Sequence, residues 1–286
     1  MLNAISVDVE EYFHVEAFAD SIDPKSWGDY ESRVERSVDR ILQLFQRYET
    51  RSTFFILGWI AERRPELVRR IADAGHEIGC HGFSHQRIHR QTPDLFRQDI
   101  RRARTVLAEL ARRPVSCYRA PSFSVTESTR WALDALAEEG FTIDSSIFPV
   151  RHDLYGMPGG KRFPYWENTP GGKRIFEFPP STIRLVNNNW AVGGGGYLRL
   201  LPYPLTFWAI RHLNNIENQP AMVYFHPWEL DPSQPRVSSI PLRSRLRHYV
   251  SLNTTENKVE RLLNNFRFDS ISEVCSGLKF YHTKPI

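Results

Sequence analysis

Ser52-Thr53-Phe54-Phe55-Ile56-Leu57-Gly58 is a run of β-branched, aromatic and aliphatic residues that stops at a glycine. That is the pattern of a short strand buried on both faces. Beyond it, Pro65 opens and Gly75 closes a segment that carries Leu67, Val68 and Ile71 at helical spacing, with proline at the first turn and glycine just past the last. Glu77-Ile78-Gly79-Cys80 then follows as a second short strand. A strand, a helix and a strand in this order and at these lengths predict a parallel pair joined by a helical crossover.

The same rhythm extends both ways. Upstream, Ile5-Ser6-Val7-Asp8-Val9-Glu10 is a strand, and Val34, Val38, Ile41, Leu42 and Phe45 form one face of an amphipathic helix. Downstream, Thr92-Pro93 caps a helix to about Arg112 and Val115–Tyr118 is a strand. Thr126 caps a helix that Gly140 ends, and Phe141–Ile143 is the next strand. Five β-then-α units predict an α/β fold, either a barrel or an open doubly wound sheet. From about 150 to 200 the chain turns to Gly, Pro and Asn clusters around a strand at Phe176–Phe178. The four glycines Gly193–Gly196 lack a following Gly-Lys-Ser/Thr and are no phosphate loop. A helix at Phe207–Asn214, a strand at Ala221–Phe225, a capped helix from Thr255 to about Phe266 and a last β run at Phe268–Val274 complete the reading.

The 286 residues carry 13% aromatic and 41% hydrophobic side chains with 16 Gly and 19 Pro, which excludes a disordered or collagen-like chain. Lys+Arg 37 against Asp+Glu 33 leaves +4. Without a basic stripe or a reading motif, nucleic acid is not an expected partner. Cys80, Cys117 and Cys275 are odd in number and far apart, so neither a disulfide framework nor a thiolate zinc site is expected. No run approaches the roughly 18 apolar residues of a membrane span, and no basic stretch followed by an apolar one opens the chain. A cytoplasmic protein is the expectation.

In a parallel α/β fold the chemistry sits at the carboxyl ends of strands. Those ends carry Asp8 and Glu10, alternate residues on one face; His81-Gly82-Phe83-Ser84-His85; Arg119-Ala120-Pro121; and His226-Pro227-Trp228. Two histidines four apart reach one cation if the segment makes a helical turn, and a carboxylate from another strand completes a three-ligand site with open positions. Cys80, pointing the other way along its strand, reads as a core thiol. Taken singly, each group also has a plain structural reading: solvated carboxylates, a surface ion pair, a satisfied histidine. Their joint occurrence at strand ends is what those readings leave unexplained.

Asp8 with Glu10, His81-Gly-Phe-Ser-His85, Arg119-Ala-Pro121, Asp144-Ser-Ser146 and Tyr-Phe-His226 stand in the order of the motifs of the NodB-homology polysaccharide deacetylases, carbohydrate esterase family 4. The chain resembles that family over roughly residues 3 to 230. Phe-His226-Pro-Trp-Glu229 and Ser-Arg-Leu-Arg-His248-Tyr resemble the branch found with bacterial exopolysaccharide and exosortase systems. The resemblance implies a distorted (β/α)7-type barrel over 1–230 with a C-terminal extension, 231–286, packed on or closing it. It implies a divalent metal, zinc first with cobalt or nickel as alternatives, and removal of N-acetyl groups from amino sugars of a polysaccharide or its precursor. By position, Glu10, His81 and His85 would hold the metal, Asp8 would be the base oriented by Arg119, His226 the acid, and the Ser122 N–H an oxyanion donor.

The motifs also depart from the family pattern. Val9 replaces the usual second aspartate, which passes the ligand role to Glu10. The fourth motif lacks the Asp-Trp pair that tunes the acid histidine, with Trp228 and Glu229 as candidate substitutes, and Ser122 stands where an aromatic is usual. Trp166, Trp190, Tyr197 and Tyr203 are candidates for stacking on sugar rings. The alternatives are an amidohydrolase of small amides and an inactive carbohydrate-binding relative.

Overall fold

At the centre of the computed structural model, which describes residues 1–152, 155–237, 240–279 and 281, lies β1 (Leu2–Val9). It is flanked by β2 (Thr53–Ile56), β3 (Glu77–Cys80), β4 (Cys117–Tyr118), β5 (Ile143–Asp144), β6 (Tyr165–Asn168) and β7 (Arg174–Glu177) on one side. After the separate hairpin of β8 (Thr182–Leu185) and β9 (Asn188–Ala191) come β10 (Met222–Phe225) and β11 (Arg267–Asp269), both parallel to β1. The path runs β10-β1-β2-β3-β4-β5-β7 with every neighbour parallel, and β6 is antiparallel on β7. These seven parallel strands are the wall of a distorted α/β barrel. Between β7 and β10 the wall is bridged by Ser181, whose Oγ accepts the Met222 N–H at 2.7 Å.

The helices are α1 (Val34–Arg47), α2 (Gly58–Arg63), α3 (Pro65–Asp73), α4 (Pro93–Ala111), α5 (Trp131–Glu138), α6 (Gly196–Leu200), α7 (Tyr203–Asn215), α8 (Leu242–Tyr249), α9 (Leu252–Asn265) and α10 (Ile271–Ser276). Two expected starts are present: the Thr92 side chain accepts the Leu95 N–H at the start of α4, and Pro65 opens α3. Two others are not: Thr126 caps a 3-10 turn over Glu127–Thr129 ahead of α5, and Thr255 lies inside α9, where its hydroxyl donates to the Ser251 carbonyl. Helix α7 begins at Tyr203 and α9 at Leu252, each earlier than its expected start at Phe207 and Thr255, and two further segments change type. Gly58 does more than end a strand, because it begins α2, packed so closely on Phe83 and Ala103 that a Cβ there would stand 2.4 Å from the Phe83 ring. The β run expected over Phe268–Val274 stops at Asp269; the Ser270 hydroxyl accepts from the Glu273 N–H and starts α10.

Alternation along β1 divides two cores. Ile5, Val7 and Val9 join the layer under the helices, while Ala4 joins Phe55, Cys117, Ile143, Phe176 and Met222 inside the barrel. Gly79 makes room there for the Phe55 ring, 2.5 Å from where its Cβ would be. Ile271, Val274 and Cys275 of α10 belong to the same interior cluster and plug the amino-terminal end. Part of the expected 231–286 extension (238–239, 280 and 282–286) lies outside the described residues. Its described part contributes β11 directly to the β1 edge and α10 to the barrel interior. The Gly193–Gly195 stretch is no free loop, since it lies along β10, with the Tyr224 N–H bonded to Gly193 O at 2.8 Å.

Candidate metal and catalytic centre

The inner face of β1 passes from Ala4 through Ser6 to Asp8 and, just beyond the strand, Glu10. Both carboxylates are almost fully buried, at 2% and 4% exposure. Solvated edge positions are thereby excluded, and each must find a partner. Asp8 Oδ1 accepts from Arg119 Nη1 at 2.6 Å. Arg119 also donates to Ser6 Oγ at 2.8 Å, to Ser145 Oγ at 2.9 Å and to Ser145 O at 3.2 Å. With Arg119 wholly buried, the pair is an interior device and no surface bridge.

Glu10 Oε1 lies 2.9 Å from His81 Nε2, 3.0 Å from His85 Nε2 and 3.9 Å from His226 Nε2. The His81–His85 segment makes no helical turn. Gly82 and His85 take positive φ, 74° and 51°, and this tight loop brings the two rings to 5.5 Å. Burial works against a charged Glu10, but His85, His226 and the bonds from His81 and His85 outweigh it and hold the carboxyl well below its usual range. Burial likewise opposes charge on His85, and Glu10 raises it.

One ligand atom each from Glu10, His81 and His85 lie within 4.8 Å of one another. The tautomers test whether this set suits a cation. His81 Nδ1 is 2.7 Å from the Arg119 carbonyl oxygen, an acceptor only, so Nδ1 carries the proton. With Nδ1 protonated, a neutral imidazole would turn its Nε2 lone pair towards Glu10, and an imidazolium would donate to it. In the neutral tautomer a divalent ion on a carboxylate and two imidazoles fits between the facing acceptors, with the Arg119 carbonyl orienting His81 from behind.

On the other side His226 Nδ1 is 3.0 Å from Glu229 Oε2, which also accepts the His226 backbone N–H at 2.9 Å. Burial disfavours protonated His226, but Glu10 and Glu229 outweigh it and bring its pKa to about 9. Burial would raise Glu229; Arg199 and His226 hold it at about 2. Of the two candidate substitutes for the missing motif, Glu229 therefore bonds the histidine, while Trp228 stacks on it at 5.1 Å. Asp144 is not at the histidine. It accepts from Ser146 Oγ at 2.5 Å, and Ser146 Oγ in turn accepts the Ala120 N–H at 2.8 Å, which fixes the Arg119-Ala-Pro turn. Burial lifts Asp144 to about 6 beside Glu177, its register partner.

Ser122 and Phe123 both have positive φ, 54° and 49°, in the turn directly after that motif. Of the aromatic candidates, Trp190 is exposed; Tyr203 is buried under Arg261, and Trp166 packs on Phe176. Two groups escaped the sequence reading. His14, whose Nδ1 accepts the Glu11 N–H at 3.2 Å, stacks on His85 at 6.3 Å. Arg199, isolated after the glycine run, forms a buried pair with Glu229 at 2.5 Å. Neither carried a spacing signal.

Residues 27–141 match the family described as polysaccharide deacetylase, and residues 145–276 match a domain of unknown function, DUF3473. Residues 27–141 thus resemble a polysaccharide deacetylase domain. That domain supplies β2–β4, both candidate histidine ligands and Arg119, whereas His226, Glu229 and Arg199 lie in the DUF3473 region. A peptidoglycan-N-acetylglucosamine deacetylase of Bacillus cereus is 28% identical over 147 residues, 46% of this chain and 51% of that protein. A peptidoglycan deacetylase of Helicobacter pylori is 30% identical over 128 residues, 45% of this chain and 42% of that one. The chain thus spans about half the length of the curated relatives it matches. A solved Mycobacterium smegmatis structure, described as a polysaccharide deacetylase, shares the fold with a TM-score of 0.63 at 21% identity, covering 99% of this chain and 93% of its own.

Proposed function

We propose that the chain is a metal-dependent hydrolase that removes N-acetyl groups from amino-sugar units of a bacterial polysaccharide or its precursor. The carrying observation is that Glu10, His81 and His85 converge between a guanidinium-locked carboxylate, Asp8, and a carboxylate-held imidazole, His226. A divalent cation on the three ligands, zinc first and cobalt or nickel next, would supply Lewis acidity to the amide carbonyl and to the attacking water.

The protein's own groups supply the rest. Asp8 accepts the proton of the attacking water, and Arg119 fixes the direction of its carboxylate. The turn at Ser122 offers its N–H to the developing oxyanion. His226, with Nδ1 engaged by Glu229, presents Nε2 on the Glu10 side and protonates the departing amine, which leaves poorly without a proton.

The pattern Phe-His226-Pro-Trp-Glu229 and the DUF3473 match support a place in the exopolysaccharide branch. Three unpaired, buried cysteines suit the proposed cytoplasmic setting. Among the described residues no helix is long and apolar enough to cross a membrane. The test is acetate release from acetylated amino-sugar oligomers by the zinc-loaded protein, with His226→Ala and Glu10→Ala as controls. Release by wild type alone supports the reading. Cleavage of small cyclic or linear amides instead would favour the amidohydrolase alternative, and sugar binding with zinc bound but no release would favour an inactive relative.

A further inference from the structure

The carboxylate that holds the proposed acid histidine is itself held. Glu229 is wholly buried, and its second oxygen, Oε1, accepts from Arg199 Nε at 2.5 Å. Arg199 is itself 4% exposed. Its Nη1 donates to three carbonyl oxygens at the end of α8: Arg247 at 3.2 Å, His248 at 2.7 Å and Val250 at 3.1 Å. The last carbonyls of a helix have no partner within it and attract a cation, so the end of α8 makes a ready socket for a guanidinium.

Two further contacts stiffen the socket. The Trp228 ring stacks on His226 at 5.1 Å and on His248 at 4.3 Å, with the Arg199 guanidinium 5.1 Å from its centre. Lys258 of α9 donates to the carbonyls of Leu198, Arg199 and Leu201 at 3.1, 2.6 and 2.9 Å, which fixes the short helix α6 that carries Arg199.

We propose that Arg199, seated in the carbonyl socket at the end of α8, is a positioning residue for His226, acting through Glu229. The stretch 242–250 is on this account part of the acid half of the site. A carboxylate bonded only to an imidazole could turn or take up water; one gripped on its second oxygen by a bidentate-capable, permanently charged guanidinium cannot. The deacetylase-matching residues 27–141 contain none of Glu229, Arg199 or α8. The region matching a domain of unknown function thereby acquires a specific task.

The inference rests on His226 being the acid, so its test has an activity-independent arm. In the full-length, zinc-loaded protein, Arg199→Met, Arg199→Lys and Glu229→Gln are compared for kcat, KM, zinc content and the proton resonance of the His226 Nδ1–H, assigned by its loss in His226→Gln. Arg199→Met should lower kcat about 10–100-fold, within the range of general acid catalysis, with KM and zinc content within twofold and the resonance broadened or lost. Arg199→Lys should recover part of both. Should Arg199→Met not fold, the near-isosteric Glu229→Gln carries the same expectations. Variants that keep kcat within twofold and an unchanged resonance overturn the proposal. A wild type that releases no acetate, but loses the resonance on Arg199→Met, keeps the positioning role and overturns the deacetylase reading.

Discussion

Replacing Arg119 by methionine removes the one guanidinium that faces Asp8 and keeps most of the volume. Asp8 is then a carboxylate at 2% exposure without its 2.6 Å partner, and three further bonds from the guanidinium, to Ser6 and Ser145, are lost as well. Breaking a buried pair by removing one member costs about 3–5 kcal/mol, because the remaining charge is left uncompensated. Unfolding entropy of about 2.1 cal/mol/K per residue gives about 0.6 kcal/mol/K for a chain of this length, so the melting temperature should fall by about 5–8 °C. The assay is thermal unfolding of wild type, Arg119→Met, Asp8→Asn and the double variant. The double variant should be more stable than Arg119→Met, since it carries no unpaired charge, with a coupling energy of about 2 kcal/mol or more. A loss below about 2 °C in Arg119→Met, or strictly additive losses, would refute the interior pairing. Activity should be lost in all three variants, which separates the stability cycle from the chemistry.

Other consequences follow from the same contacts. His76 is buried between Phe45 and Phe54, and burial lowers its pKa to about 4; its contribution is complete above pH 6.5 and disappears as pH falls towards 4, about 3 kcal/mol in all, so pH-dependent denaturation should show a flatter acid limb in His76→Phe. Zinc at 100 times its dissociation constant should stabilise the fold by about 2.7 kcal/mol, read as a melting shift of about 4 °C that chelator reverses and Glu10→Ala abolishes. A Cβ at Gly194 would stand 2.1 Å from the Tyr224 carbonyl oxygen, a backbone atom that cannot swing aside, so Gly194→Ala should cost about 2–3 kcal/mol in chemical denaturation.

The barrel and most of the centre are legible in the sequence because both follow one rule. Strands buried on both faces read as apolar runs, and the polar residues ending them, Asp8, Glu10, His81, Arg119 and His226, converge wherever the strands do. The exceptions have identifiable causes. Phe268-Asp269-Ser270-Ile271-Ser272-Glu273-Val274 has its apolar residues three apart, a helical spacing that the strand at its start obscures, and the Ser270 cap marks where α10 begins. Gly58 carries two messages, the end of β2 and the close packing of α2, and only the first is visible without the partner Phe83. Arg199 has no periodicity at all; its meaning comes from Glu229 and from α8, some 30 to 50 residues later in the chain.

Charge pairing also distinguishes the three buried carboxylates that surround the histidines. Asp8 is locked to Arg119 and Glu229 to Arg199, each by a guanidinium that stays charged at any pH the fold survives. Glu10 faces only imidazoles, His81, His85 and His226. Imidazoles can surrender their protons, and His81, whose Nδ1–H donates to the Arg119 carbonyl, can then turn a bare Nε2 to a metal. Of the three, Glu10 alone can therefore exchange its present partners' protons for a metal ion without stranding a permanent positive charge in the interior. That asymmetry is the physical ground for proposing Glu10 as the ligand and Asp8 as the base. With Glu10 as the ligand, the carboxylate would come from the loop just beyond β1, 2.9 and 3.0 Å from the two histidines, while Asp8 keeps its guanidinium.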